Sequence, residues 1–89
     1  MPPTKTKRRN MPQWQVILLN DNKNTKEKVT EAILHILLVT TQEAQHLVSL
    51  AHQKGEAVML TTNLEKAELV QETFQCHSPP IKTRLTKVE

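Results

Sequence analysis

Apolar residues along the chain come in six short bouts, separated by polar residues that mark turns and helix starts. In the first, Trp14, Val16 and Leu18 alternate with Gln15, Ile17 and Leu19, which predicts a strand buried on both faces or nearly so. It stops at Asn20, Asp21 and Asn22, which with Lys23 and Asn24 form a polar turn, and Asn24 followed by Glu27 three residues later marks a helix start. Val29, Ala32, Ile33, Ile36 and Leu37 then recur at spacings of three and four, predicting a helix over Thr25 to Leu38. Thr40 with Glu43 is a capping box that restarts the chain as a second helix, whose stripe is Ala44, Leu47, Val48 and Ala51. Gly55, the single glycine, stands where a left-handed C-terminal cap belongs. Ala57 to Thr61 predicts a second strand. Thr62 with Glu65 predicts another capping box, opening a third helix with Ala67, Val70 and Phe74 inward. After Pro79 and Pro80, Ile81 to Val88 alternates apolar and charged residues as a half-exposed strand does.

The order β-α-α-β-α-β has too few strands for a sandwich or barrel and too few helices for a doubly wound sheet. It predicts an α+β domain, a small three-stranded antiparallel sheet with three helices on one face. Composition agrees on the scale. With 89 residues, 37% of them hydrophobic, the chain builds one modest core and no multi-domain enzyme. The net charge of +3 suggests an anionic partner until its distribution is read. Lys5, Lys7, Arg8 and Arg9 take four of the 12 basic residues and none of the nine acids, leaving eight against nine for the rest. Residues 1–13, with Pro2, Pro3 and Pro12, have the composition of a disordered basic N-terminal arm, and residues 14–89 of one folded domain. The arm reads equally well as a solubilising terminus or as a functional one.

Cys76 has no second cysteine to pair with, so packing alone holds the fold, as in a reducing compartment: the cytoplasm, or the stroma of a plastid. No apolar run approaches the roughly 20 residues of a membrane span, and Val16 to Leu19 is too short for a signal-peptide core. No metal or other cofactor is expected. Cys76 and His77 are adjacent, and His35, His46 and His52 do not fall on one helical face. No nucleophile elbow is present, and a single glycine cannot build a phosphate loop, so the sequence reads as non-enzymatic. Binding nucleic acid calls for basic groups on an ordered surface and, for single strands, aromatic platforms as well, and the two aromatic residues are Trp14 and Phe74, the latter on a core stripe. A monomer without nucleic acid or membrane partners is expected.

The polar cluster Asn20, Asp21, Asn22 at the end of the first strand is either a turn with Asx-type bonds or a binding edge, and His52 at the end of the second helix is either a half-exposed end residue or its partner. The string Trp14 to Asp21 (WQVILLND), Glu27 and Val29, then Ala51, His52, Gln53, Lys54, Gly55, Glu56 and Ala57, later Ala67 and Glu68, and finally Pro80 and Ile81, resembles the ClpS family of Clp protease adaptors. Without a gap through Glu68, the likeness covers residues 14 to 88.

The resemblance implies an adaptor that binds the N-terminal residue of N-degron substrates, bulky hydrophobic residues above all. Such an adaptor hands them to the N-terminal domain of a ClpA- or ClpC-type unfoldase serving the ClpP peptidase. It places the substrate's α-amino group at Asn20, Asp21 and His52, and its first side chain in a hydrophobic pocket of Val29, Val48, Ala51 and Ile81. An α-ammonium offers three donors and a charge, which a carboxylate and polar acceptors hold well. The four pocket positions serve equally well as core.

Pocket-mouth positions that the family fills with Asp, Thr and Met are Asn22, Asn24 and Lys26, and two walls commonly Met and Val are Val48 and Ala51. Smaller walls are expected to widen the pocket, and Lys26 to repel a cationic side chain. Glu65 and Glu68 match unfoldase-contact positions and also suit a helix N-terminus, while Val70 replaces a nearby family Lys. Two other readings stand beside this one: a basic-armed RNA- or ribosome-associated protein, and an unfoldase modulator of the same fold that binds no N-degron.

Overall fold

The computed structural model describes residues 12–88. Its elements are β1 (Trp14–Leu19), α1 (Lys26–Ile36), α2 (Thr41–Lys54), β2 (Glu56–Thr62), α3 (Leu64–Gln75) and β3 (Thr83–Lys87), in the predicted β-α-α-β-α-β order. The sheet is antiparallel in the order β2-β1-β3, so β1 is central. Its side chains explain the position: Val16, Ile17 and Leu18 are all buried, a burden that only a strand paired on both edges carries. Most of the expected arm lies outside the described residues. At its end, the Gln13 carbonyl accepts a hydrogen bond from the Val88 N–H at 2.8 Å.

α2 and α3 lie on one face of the sheet and α1 packs against both. Val29, Ala32, Ile33 and Leu37 of the first stripe, Ala44, Val48 and Ala51 of the second, and Ala67, Val70 and Phe74 of the third meet Val16, Leu18 and Ala57 in one core. Among the described residues the opposite face carries no helix. There Ile17 pairs with Val58 on β2 and Arg84 on β3, and Leu19 with Glu56. Arg84 reaches Glu56 at 2.9 Å, so the pair crosses β1 on the face of Ile17, which is 3% exposed. Both partners are half exposed, and the pair adds little stability by charge; covering Ile17 is its larger service.

Several boundaries differ from the sequence expectation, four of them for a visible reason. α1 begins after Thr25, whose hydroxyl accepts from Lys28 N, because the Asn24 side chain is engaged elsewhere. It ends at Ile36, two residues early, leaving Leu38 fully exposed in a connection that runs straight into the Thr40–Glu43 capping box. α3 is capped by Asn63 instead of Thr62, since Thr62 is still paired with Trp14 in the sheet. β3 begins at Thr83 because the Ile81 N–H donates to the Phe74 carbonyl at the end of α3, which holds Ile81 out of the strand and fully buries it. The α2 cap is as expected: Gly55 has φ 92°, and its N–H donates to Ala51 O at 2.8 Å.

Candidate functional site

The end of β1 and the end of α2 are tied together by backbone. After Gly55 reverses the chain, its carbonyl accepts from the Asn20 N–H at 3.0 Å, while the neighbouring Leu19 N–H donates to Lys82 O at 3.2 Å. That double tie sets Asn20 and Asp21 beside the last turn of α2, where His52 is exposed. Below them is a cavity of about 40 Å³. Asn20, Asp21 and His52 border it with Leu18, Leu19, Val29, Val48 and Ala51 as apolar walls, and Asn24 and Lys26 complete the lining.

The turn after β1 is built by Asp21. Its Oδ1 accepts from the Lys23 N–H at 2.8 Å and its Oδ2 from Asn24 Nδ2 at 2.8 Å. The Asx-turn reading and the binding reading are therefore compatible, since a carboxylate has about four acceptor positions and the turn uses two. Burial opposes the charged form of Asp21. The Asn24 and Lys23 hydrogen bonds, with the charges of Lys82 and Lys23, outweigh it and hold the carboxyl below the ordinary aspartate range. At neutral pH the cavity rim thus carries a fixed negative charge.

Not every expected site residue reaches the cavity. Asn22 is exposed and outside the lining, and Ile81 is fully buried in the core without lining it. Asn24 is part of the buried wall, whereas its place in the sequence suggested the mouth. Glu65 and Glu68 lie far along the chain from this cluster, exposed on the first turns of α3 beside Lys66 and Leu69 in an open depression. A larger open depression of about 600 Å³ runs along the start of α2 and over Met59, but its polar lining is ordinary helix surface with no converging set. Among the described residues no three His, Cys, Asp or Glu side chains gather as a metal site would require, and no helix is long and apolar enough to cross a membrane.

A family model described as ATP-dependent Clp protease adaptor protein ClpS matches residues 9–83. The chain belongs to the ClpS family. Its relatives include the Clp protease adapter ClpS of Synechococcus elongatus, 32% identical over 77 residues that cover 85% of this chain and 81% of the relative. Another is the ClpS of Thermosynechococcus vestitus, 33% identical over 66 residues covering 73% and 70%. A solved structure of Agrobacterium tumefaciens ClpS2 bound to L-phenylalaninamide superposes with a TM-score of 0.82 at 20% identity, over 89% of this chain and all of that one, which establishes the shared fold.

In this ClpS chain, sequence reasoning passed over Leu18 and Leu19 as cavity walls, because strand residues at a buried β1 terminus look like core whichever side they face. It also passed over the anchoring of Asn24 by the carbonyls of Pro79 and Pro80, at 3.2 and 3.3 Å. No local signal points to that contact. A pair of prolines, which interrupts regular structure and so leaves carbonyls outside a ladder, is the nearest thing to a hint of acceptors there.

Proposed function

We propose that this ClpS-family chain is a non-enzymatic adaptor that binds the N-terminal residue of N-degron substrates and delivers them to a ClpA- or ClpC-type unfoldase. The observation that carries the proposal is the meeting of Asn20, Asp21 and His52 on the rim of a cavity walled by Val29, Val48 and Ala51. A rim carboxylate held ionised is suited to an α-ammonium, whose ordinary pKa of about 7.7 to 8.0 keeps it mostly charged at neutral pH. Asn20 and His52 supply further polar contacts to the amino group and first peptide bond. The phenylalaninamide held by the Agrobacterium structure is a free-amine aromatic ligand of the expected kind.

The volume sets a condition on the side chain. About 40 Å³ is little more than one water's share of liquid, whereas a cavity known to hold benzene measures about 150 Å³. The smaller Val48 and Ala51 walls have not produced an open aromatic pocket in the free protein. A bulky first residue therefore requires the cavity to enlarge, and exposed Lys26 is the lining side chain with the most freedom to move aside. Burying an aromatic side chain removes about 150 to 250 Å² from water, roughly 4 to 6 kcal/mol gross, enough to drive such an opening. After association costs, affinity near micromolar is expected.

The test is fluorescence anisotropy with peptides that differ only in their first residue. Phe, Tyr, Trp and Leu peptides should bind, N-acetylation should abolish binding, and Asp21→Ala should weaken it by about 2 to 5 kcal/mol. Because Lys26 lines the cavity, Arg and Lys peptides should bind far more weakly than Phe; equal binding of Arg and Phe peptides sinks that specificity. Retention of an unfoldase without any peptide binding would instead identify a docking homologue that reads no N-terminus. The cyanobacterial relatives favour a bacterial cytoplasm or a plastid stroma as the compartment.

A further inference from the structure

Asn24 is both polar and buried, with 8% of its surface exposed. Its amide nitrogen is fully committed, donating to Asp21 Oδ2 at 2.8 Å and facing the carbonyl oxygens of Pro79 and Pro80 at 3.2 and 3.3 Å. Three acceptors around one atom fix which end of the amide is which, since the reverse orientation would set Oδ1 against three oxygens. The free end is therefore Oδ1. It is buried without a hydrogen-bond partner among the described residues. A buried acceptor left unpaired is costly, and such atoms are rare in folded proteins outside functional sites. The same residue lines the cavity below Asn20, Asp21 and His52.

We propose that Asn24 Oδ1 selects the first residue of the bound peptide for a neutral hydrogen-bond donor on its side chain, a hydroxyl or an indole N–H, above the apolar isostere. This rests on the N-terminal-residue reading given above and sharpens its substrate class. The remaining walls Leu18, Leu19, Val29, Val48 and Ala51 present only hydrocarbon side chains, so Asn24 is where the pocket can distinguish a donor from a methyl or a ring hydrogen. Neutrality follows from Lys26, which lines the same cavity and opposes a cationic donor. Oδ1 has almost no accessible surface in the free protein, so a donor reaches it as the cavity enlarges around the entering side chain, whereas the apolar partner of each isosteric pair fills the same space and leaves Oδ1 unpaired. Such a bond in a neutral pair corresponds to about a three- to tenfold gain in affinity.

The experiment measures anisotropy on the wild-type full chain with two peptide pairs, Tyr against Phe and Thr against Val at the first position, all with a free α-amine. The pairs put the donor at two depths, one at the far end of a ring and one a single bond beyond Cβ. The expected result is that the donor-bearing member binds three- to tenfold tighter in at least one pair, and that Asn24→Leu, of nearly equal size, erases the difference. Parity in both pairs, or a preference that survives Asn24→Leu, overturns the proposal while leaving N-terminal recognition intact. Failure of all four peptides to bind, or equal binding after N-acetylation, overturns both. A circular dichroism melt accompanies the variant, because the Asn24 amide also holds the Pro79–Pro80 carbonyls; if the variant does not fold, the wild-type pairs decide.

Discussion

The two ends of the molecule that carry polar residues were made in different ways. At the cavity end, the local Asp21 turn is joined by long-range hydrogen bonds: Asn20 to Gly55, Leu19 to Lys82, and Asn24 to Pro79 and Pro80, the last spanning 55 and 56 residues of chain. At the start of α3, the polar contact is local, Asn63 capping Lys66 N at 2.8 Å, and Glu65 and Glu68 stand exposed on an ordinary first turn. Every long-range bond orders distant backbone and removes entropy, so a cluster of them marks geometry the fold holds in one arrangement. The α3 end has no such investment. Under the proposed function it would be an encounter surface whose partner supplies the shape.

The contrast is broken most severely through Phe74. Its side chain is fully buried, and its carbonyl accepts from both His77 and Ile81, which anchors the segment bearing the Pro79 and Pro80 carbonyls. Phe74→Ala is expected to cost about 3 to 5 kcal/mol in chemical denaturation and to loosen the cavity with it. Gly55→Ala is the next largest. A Cβ there meets no atom within 4 Å, but φ of 92° strains any L residue, so a loss of about 1 to 2 kcal/mol is expected. Peptide affinity should fall alongside, because the Gly55 carbonyl positions Asn20.

A smaller change comes with pH. Since the Asp21 carboxyl is held below its ordinary value of about 3.9, the charged rim and the stability it contributes persist above that value and are lost as pH falls through the lowered one. Binding of a free-amine peptide should accordingly hold from below about pH 3.9 up to the deprotonation of its α-amine near 7.7 to 8.0, and weaken above it. A pH titration of peptide affinity reads both limits. An acid limit well above pH 4 would remove Asp21 from the clamp. Least of all, Glu65→Gln with Glu68→Gln should move stability by no more than about 0.5 kcal/mol and leave peptide affinity unchanged, while weakening capture of the unfoldase. An effect on peptide affinity would mean the two ends are coupled.

What sequence could disclose follows the same division between local and distant causes. The Thr40–Glu43 box and the Gly55 cap were legible because each is settled within a few residues of chain. The start of α1 was not. Asn24 and Thr25 are both competent N-caps, and the choice falls to Thr25 because the Asn24 amide reaches proline carbonyls far along the chain. Thr62 and Asn63 pose the same problem, decided by the pairing of Thr62 with Trp14 in the sheet. Candidate site residues were legible by type and by family resemblance. Their accessibility was not, since Ile81 and Val48 look alike as letters although one is sealed in the core and the other faces the cavity.

The bond from the Asn20 N–H to the Gly55 carbonyl has a kinetic meaning. Because the strand end and the helix end are joined before any peptide arrives, the proposed amino-group partners need no assembly during an encounter. Capture of the amine, before the cavity enlarges around the side chain, should then run at much the same speed for every peptide with a free amine and a neutral first side chain. Choice among first residues would be exercised afterwards, in how long each one stays.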